Sequence, residues 1–400
     1  MSQKLLENKH ILLGITGSIA IYKSIELLRL LTKAGAKVRV MMSEDAKRFI
    51  TPLTFEALSG NPVISASTES WANDANHIHI HRWSDLFCIA PTTANTINKL
   101  AHGIADNLVT QTALASPKSI LIAPAANTQM INHTATKKSL ETLKNRGVTI
   151  VDSIEKKLAC QDFGKGAMAE PEYIFWQIAR EFLKEPNILN HPVVVTGGGT
   201  REAIDSVRFI SNYSSGKMAE ALATALFLKG ANVTLLSSTK NHTNILPFEC
   251  IPYESSLDLR KQLKKLKAKN ETLFMAAAVS DYVPEVKLEG KFKKNTLGLK
   301  WKLELAQNTD ILKEMSSLGF KCIGFKAETD PKTAHENAEK MFKNKNLHAV
   351  CLNILNDTCN FGSEQTRIDL FLAEGWKSLP LQSKLDSAFK IVDLCLPCRN

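Results

Sequence analysis

Three stretches of the first half combine residue types and spacing that could do chemistry. A strand-like run ends in Ile15-Thr16-Gly17-Ser18-Ile19-Ala20. Glycine lets backbone approach a ligand closely, and the N-terminus of the following helix offers N–H groups to a phosphate. The fingerprint G-x-G-x-x-G is absent, and Ser43 rather than an acid ends the second strand, so a mononucleotide suits this turn better than NAD. Next, Asn76-His77-Ile78-His79-Ile80-His81 alternates at period two, which would put three imidazoles on one strand face. Zinc is one reading. A polar strand edge with one working histidine is the other, and the lack of a neighbouring Cys/His/carboxylate pattern favours it. Finally, Ala159-Cys160-Gln161-Asp162-Phe163-Gly164-Lys165-Gly166 sets a thiol beside glycines, with Lys157 and Lys165 near enough to favour the thiolate. A merely exposed cysteine fits equally well.

Other residues are ambiguous alone. Asn127, after the buried run ending Ala123-Pro124, either binds a carboxylate or caps the next helix, and local sequence favours the cap. In the second half, Thr196-Gly197-Gly198-Gly199-Thr200-Arg201 and Ser211-Asn212-Tyr213-Ser214-Ser215-Gly216-Lys217-Met218 read as anion cradles. The Lys217 run lacks G-x-x-x-x-G-K-[ST] and is not a P-loop. Asp281 stands at the lip of the strand ending Ala276-Ala277-Ala278, where it suits Mg²⁺. Ten residues on, Lys291-Phe292-Lys293-Lys294 forms either a loop that closes on a triphosphate or a solvated one. The lone Cys395-Leu396-Pro397-Cys398 lacks a second ligand pair and reads as incidental.

The elements that must hold these residues follow one rhythm. Strand-like runs His10–Ile15, Lys37–Met42, Leu86–Ala90 and Ser119–Ala123 alternate with helical stretches Ser18–Ala34, Thr93–Gly103 and Thr128–Asn145. That implies βαβ units and a parallel sheet covered on both faces. The pattern breaks at Lys184–Pro192 and resumes from Val193, giving two doubly wound Rossmann-like α/β domains, 1–187 and 188–400. Four hundred residues, 44% hydrophobic and 22% charged, exclude wholesale disorder, and no run reaches the roughly 20 apolar residues of a membrane span. Fifty Lys+Arg against 40 Asp+Glu give +10, a scattered excess that suits small polyanions. No nucleic-acid module or aromatic interleaving accompanies it, and the dense run Lys261–Lys269 reads as a solvated helix face. Eight irregularly spaced cysteines and a polar N-terminus point to a reducing, cytoplasmic setting.

In their order, the motifs are specific. Over nearly its whole length the chain resembles the bifunctional phosphopantothenoylcysteine decarboxylase/phosphopantothenate–cysteine ligase family of coenzyme A biosynthesis. The first half carries TGSIAIYK (Thr16–Lys23), TPLTFEALSG (Thr51–Gly60), NHIHIHRW, APTTAN (Ala90–Asn95), GIADNL (Gly103–Leu108), PAANTQM and ACQDFGKGAM. The second carries TGGGTREAIDSVRFISNYSSGKM (Thr196–Met218), AAAVSDY, KFKK, NTDIL (Asn308–Leu312) and GFKAET (Gly324–Thr329). Three positions depart from the family's habit: Ala126 where methionine is usual, Gln161 where glycine is usual, and His79 where glutamate is usual.

The resemblance implies a decarboxylase half that binds FMN with its phosphate near Gly17, Ser18 and Ile19, and its ring bordered by Ser43, Thr92, Thr93, Asn95 and Asp106. Oxidation of the substrate thiol would open the way for CO₂ to leave, with His77 as base, Asn127 on the carboxylate and Cys160 as proton donor. It implies a ligase half that forms an acyl-cytidylate from CTP and hands the acyl group to cysteine. There Lys291, Lys293 and Lys294 neutralise phosphate charge and Asp281 helps hold Mg²⁺ or Mn²⁺. Asn212 contacts the acyl-cytidylate. Gly198, Gly199, Ser214, Ser215 and Lys217 form phosphate and substrate sites, and Asn308 and Phe325 contact the nucleotide. The implied partners are small-molecule substrates and further copies of the chain, as a homo-oligomer with active sites between protomers, without nucleic acid or membrane. Two rivals stand beside this reading: a non-catalytic regulatory flavoprotein, and an NAD(P)-dependent oxidoreductase using the Gly197–Gly199 turn.

Overall fold

The computed structural model describes residues 5–72, 76–157, 163–239, 246–267, 272–287, 290, 301–355, 360 and 362–396. Internal contacts divide the chain into two compact units, Met1–Phe182 and Leu183–Asn400.

The first unit is built on a parallel sheet of β1 (His10–Ile15), β2 (Lys37–Met42), β3 (Leu86–Thr92), β4 (Ser119–Pro124) and β5 (Thr149–Ile150), in the order β2-β1-β3-β4-β5. β3 is buried at every position and β1 at all but its first, as expected of strands covered on both faces. The order reverses between β1 and β3, the place where open α/β sheets leave a crevice at their strand C-termini. Thr16 fixes that crevice: its hydroxyl donates to the Pro91 carbonyl (2.8 Å) and accepts from the Thr93 N–H (3.1 Å). An antiparallel hairpin, β6 (Ile154–Lys157) and β7 (Phe163–Ala167), stands outside the sheet.

Two sequence expectations need correction here. The three histidines do not share a strand: Asn76 Oδ1 accepts the N–H groups of Ile78 (3.0 Å) and His79 (2.9 Å), and this side-chain turn leads into a helix, Ile80–Trp83. The single helix expected over Thr128–Asn145 is two, Thr128–Asn132 and Thr134–Asn145. His133 breaks it with an extended backbone and an imidazole that accepts the Ala135 N–H (3.2 Å).

The second unit carries a mixed eight-stranded sheet. Its strands are β8 (Pro192–Gly197), β11 (Asn232–Ser237), β12 (Glu249–Pro252), β13 (Thr272–Met275), β16 (Lys321–Glu328), β17 (Ala349–Ile354), β18 (Gln365–Leu372) and β19 (Gly375–Ser383). The order is β12-β11-β8-β13-β16-β17-β18-β19, parallel through β17 and antiparallel in its last two pairings. Two short antiparallel ribbons, β9 (Arg201–Ala203) with β10 (Phe209–Ser211) and β14 (Tyr282–Pro284) with β15 (Leu305–Gln307), lie outside it. Val194, Leu236, Leu273, Met315, Cys322 and Val350 are among the buried side chains of one core. On the helix Ser256–Leu266, Leu259 and Leu263 join that core while Lys261, Lys264 and Lys265 face solvent. Among the described residues no helix is long and apolar enough to cross a membrane.

Candidate functional site

At the C-terminal ends of β1 and β3, a cavity of about 580 Å³ is bordered by Thr16–Ile19, Ser43–Asp45, Thr93–Thr96 and Asp106–Asn107. Local chemistry explains each wall. Gly17 is required by its neighbours: a Cβ there would lie 2.6 Å from the Cβ of Asp45. Ser18 accepts the Ala20 N–H on its hydroxyl, just ahead of the helix Ile21–Lys33. Thr93 caps the helix Ala94–His102, and Ser43 caps the short helix Glu44–Lys47. Asp106 accepts from the Lys99 ammonium (2.6 Å), which holds its carboxyl below the ordinary range. Thus Gly17, Ser18, Ile19, Ser43, Thr93, Asn95 and Asp106 meet around one space. Thr92 does not: it is fully buried, and its hydroxyl donates to the Ile89 carbonyl (2.5 Å).

A second compartment of about 550 Å³ shares Ser18, Ile19, Ala125 and Ala126 with the first, and is otherwise lined by residues including Lys23, Asn127, Lys156, Lys157 and Met168. Asn127 caps the helix Thr128–Asn132, its Oδ1 accepting the Gln129 N–H (2.8 Å). The hairpin presses on this loop. Ala126 donates its N–H to the Gly166 carbonyl (3.0 Å), and a Cβ on Gly166 would come within 2.2 Å of the Ala126 oxygen. Ala126, one of the departures, therefore lies between both compartments. Lys23 was not singled out from sequence. Its ammonium is buried in the compartment's wall, bonded to the Met168 carbonyl (2.7 Å) and to Glu170 (2.9 Å), and burial lowers its pKa. A lysine on the inner face of an apolar helix was the available signal.

His77 lines neither compartment. Its Nδ1 lies 2.7 Å from Glu69 Oε1, which also accepts its backbone N–H (3.2 Å), and its ring meets Trp71 edge-on at 5.7 Å. His79 Nδ1 lies 3.0 Å from the Asn76 amide nitrogen, so the two imidazoles have different partners. No group of three His, Cys, Asp or Glu suited to a metal exists among the described residues. Cys160 and Gln161, between β6 and β7, lie outside the described residues.

In the second unit a cavity of about 440 Å³ opens beyond the end of β13 and beside β16, lined by Asn212–Gly216, Ala276–Ala278, Phe325–Ala327, Asn353 and Lys384 among others. The glycine turn beneath it is a packed junction. A Cβ on Gly197 would meet Ala219 at 2.3 Å, one on Gly198 (φ +88°) the Ser238 hydroxyl at 2.1 Å, and one on Gly199 the Asn212 carbonyl at 2.4 Å. Tyr253, its phenol pushed upward by burial and so kept protonated, donates to the Gly197 carbonyl (2.9 Å). The Asn212 amide donates to the Val279 carbonyl (3.1 Å), tying the loop to the segment that follows β13.

Asn212, Ser214, Ser215 and Phe325 line this cavity; Gly198 and Gly199 lie under it. Lys217, first residue of the helix Lys217–Leu228, is engaged by Glu364 and by the Gly362 carbonyl (2.8 Å). Asp281 is exposed beyond the rim, where its carbonyl accepts the Asn308 N–H (2.8 Å) and Asn308's amide donates to the Ser280 carbonyl (2.8 Å). Lys291, Lys293 and Lys294 lie outside the described residues, as does Cys398; Cys395 is a buried free thiol in the helix Lys384–Cys395. Asn353 was missed from sequence. Its Oδ1 is buried at the cavity with no hydrogen-bond partner among the described residues, and a polar residue near the end of the apolar run AVCLNI was the clue.

Residues 1–183 match the Flavoprotein family model, and residues 188–397 the DNA/pantothenate metabolism flavoprotein C-terminal domain. The chain is 38% identical over 392 residues to the coenzyme A biosynthesis bifunctional protein CoaBC of Haemophilus influenzae, covering 97% of each. It is 38% identical over 398 residues to the protein of that name from Bacillus subtilis, again covering 97% of each. A solved C-terminal domain of a CoaBC protein matches at 29% identity and a TM-score of 0.44, over 52% of this chain and 96% of that one.

Proposed function

Since the chain belongs to the family of bifunctional coenzyme A biosynthesis proteins, we propose that it makes 4'-phosphopantetheine in two steps. Its second half joins 4'-phosphopantothenate to cysteine through an acyl-cytidylate, releasing pyrophosphate and CMP from CTP. Its first half, with FMN, removes CO₂ from the product. The observation that carries the reading is the convergence of Gly17, Ser18, Ile19, Ser43, Thr93, Asn95 and Asp106 on one cavity at a topological switch point. About 580 Å³ fits a mononucleotide-sized ligand, and the ends of β1 and β3 supply the polar lip. Neither a non-catalytic flavoprotein nor an NAD(P)-dependent oxidoreductase is favoured by these relatives.

When bound, FMN would supply a reversible electron acceptor: it would draw two electrons from the substrate thiol so that the carbon–carboxylate bond can break, and would give them back to the enethiol left by CO₂ loss, so that the reaction is redox-neutral overall. The protein does the rest. Glu69 fixes the Nδ1 side of His77, leaving Nε2 to take the substrate proton. Asn127, its amide plane set by the capping bond, donates to the departing carboxylate. Cys160 returns a proton to the enethiol carbon. Because His77 borders neither compartment of its own unit, the reading includes a homo-oligomer in which a second copy completes the site.

In the ligase half catalysis is charge stabilisation. Lys291, Lys293 and Lys294 would neutralise phosphate charge, and Asp281 would help hold Mg²⁺ or Mn²⁺. Asn212 contacts the acyl-cytidylate, Ser214, Ser215 and Lys217 help form the phosphate and substrate sites over the Gly198–Gly199 turn, and Asn308 and Phe325 contact the nucleotide. A cytoplasmic setting goes with this reading, since Cys88, Cys250, Cys322, Cys351 and Cys395 are free thiols.

One anaerobic incubation with phosphopantothenate, cysteine, CTP and Mg²⁺, followed by mass spectrometry, tests both halves. Phosphopantetheine, CMP, pyrophosphate and CO₂ are expected. No CO₂ from FMN-loaded protein given phosphopantothenoylcysteine rejects the decarboxylase, and no pyrophosphate from CTP rejects the ligase.

A further inference from the structure

The compartment beside the FMN cavity holds more positive charge than its internal partners absorb. Lys23, on the helix Ile21–Lys33, and Lys156, on β6, share one carboxylate: Glu170 Oε1 lies 2.9 Å from the first ammonium and 3.5 Å from the second. Lys23 is buried, whereas the Lys156 side chain is 44% exposed and borders the open space. Lys157 adds a third cationic residue to the lining. Two ammonium groups on one carboxylate leave a net charge of one at this wall, and Lys156 acts on Lys23 as a repulsive neighbour. An anion placed beside Lys156 relieves that repulsion and gains charge-assisted hydrogen bonds.

The part of the lining shared with, or next in sequence to, the neighbouring cavity's wall differs. Asn127, Ala125 and Ala126 present an amide and small apolar side chains next to the FMN cavity. A ligand with a reacting carboxylate at one end and a second anion at the other matches this polarity. We propose that the Lys156 end of the compartment is the subsite for the phosphate monoester of the decarboxylase substrate. Discrimination between phosphorylated and dephosphorylated pantothenoylcysteine then originates there. The inference rests on the decarboxylase reading and adds to it the residues that set substrate class. Lys23 and Glu170 act as positioning residues, holding the base of β6–β7 while Lys156 meets the phosphate.

The test compares kcat/KM for phosphopantothenoylcysteine and pantothenoylcysteine in FMN-loaded wild type, Lys156→Gln, Lys156→Arg and the double variant Lys156→Gln/Lys157→Gln. Loss of one charge-assisted contact lowers the phosphorylated-to-dephosphorylated ratio about tenfold, through KM, with a larger drop in the double variant. Lys156→Arg restores most of the ratio. Calorimetry with 4'-phosphopantetheine and pantetheine gives a readout independent of turnover, the phosphorylated ligand alone weakening. An unchanged ratio, or equal losses on both substrates, overturns the proposal. So does a fall in flavin occupancy in Lys156→Gln, which would put these lysines on the cofactor's phosphate. If wild type releases CO₂ from neither substrate, the decarboxylase reading fails first and takes the proposal with it.

Discussion

Both halves open with the same device, a buried strand, a glycine turn and a helix, yet the glycines do different work. In the first half Gly17 makes one close approach, to Asp45, and the turn remains the floor of a cavity. In the second, Gly197, Gly198 and Gly199 are pressed against Ala219, Ser238 and Asn212, three separate segments, so the turn is a junction beneath the cavity. A glycine-rich turn after a strand therefore signals close approach without saying what approaches. In the second unit the cavity wall is supplied instead by Asn212–Gly216 and by residues near the antiparallel edge, such as Asn353, Thr366 and Ile368.

The contrast can be broken most strongly at one glycine in each half. Gly199→Ala forces the Asn212 carbonyl aside, and pyrophosphate release from CTP should fall about a hundredfold with CO₂ release unchanged. Gly166→Ala lifts the hairpin off the Ala126 carbonyl and should do the converse, a loss of similar size in CO₂ release from phosphopantothenoylcysteine with ligation intact. Coupled loss in both assays would show that the halves are not independent.

A smaller effect sharpens the account of Gly17. Gly17→Ala overpacks against Asp45, and FMN affinity by fluorescence titration should weaken about tenfold. Asp45→Gly in the same chain removes the opposing Cβ and should recover most of that loss. No recovery would mean that Gly17 is needed for the ligand's approach rather than for Asp45.

The smallest effect belongs to the second half alone. Arg260 (2.5 and 2.7 Å), and then Lys264 (2.7 Å), draw the Glu314 carboxyl from 4.5 down to about 2. A depressed acid stabilises the fold above its unfolded pKa and loses that contribution as pH falls. Glu314→Gln should therefore cost about 1 kcal/mol in denaturant unfolding at pH 7, and the difference should fade between pH 4.5 and 2. A difference that persists at pH 2 would assign the cost to packing.

The parallel strands and their glycine turns were legible because continuous apolar runs such as His10–Ile15 and Pro192–Gly197 are buried on both faces, which leaves a strong sequence signal. In the first half only the turn Gly17–Ser18 could be read from the residues themselves; Ser43, Thr93, Asn95 and Asp106 came from the family resemblance, which also offered Thr92, a residue buried away from the space. The hairpins β6–β7 and β18–β19 were not legible, because half-exposed strands such as IEKK and GWKSLPLQS carry no continuous run. The histidine alternation misled because Asn76 captures two N–H groups and starts a turn, overriding the period. Nor can sequence show that Lys23 and Lys156 share Glu170, since that depends on where the hairpin lands.

The five free thiols of the described residues are spread unevenly over the two units. Cys88 sits in β3, Cys322 in β16, Cys351 in β17 and Cys395 in the last helix, all enclosed and all with their pKa pushed up by burial, that of Cys322 to about 12. A maleimide or iodoacetamide label will pass over these four while the molecule is intact. As denaturant is raised, alkylation of Cys88 times the opening of the leading sheet and alkylation of Cys351 that of the trailing one. A single mass spectrum then reads the unfolding of each half separately, without cutting the chain.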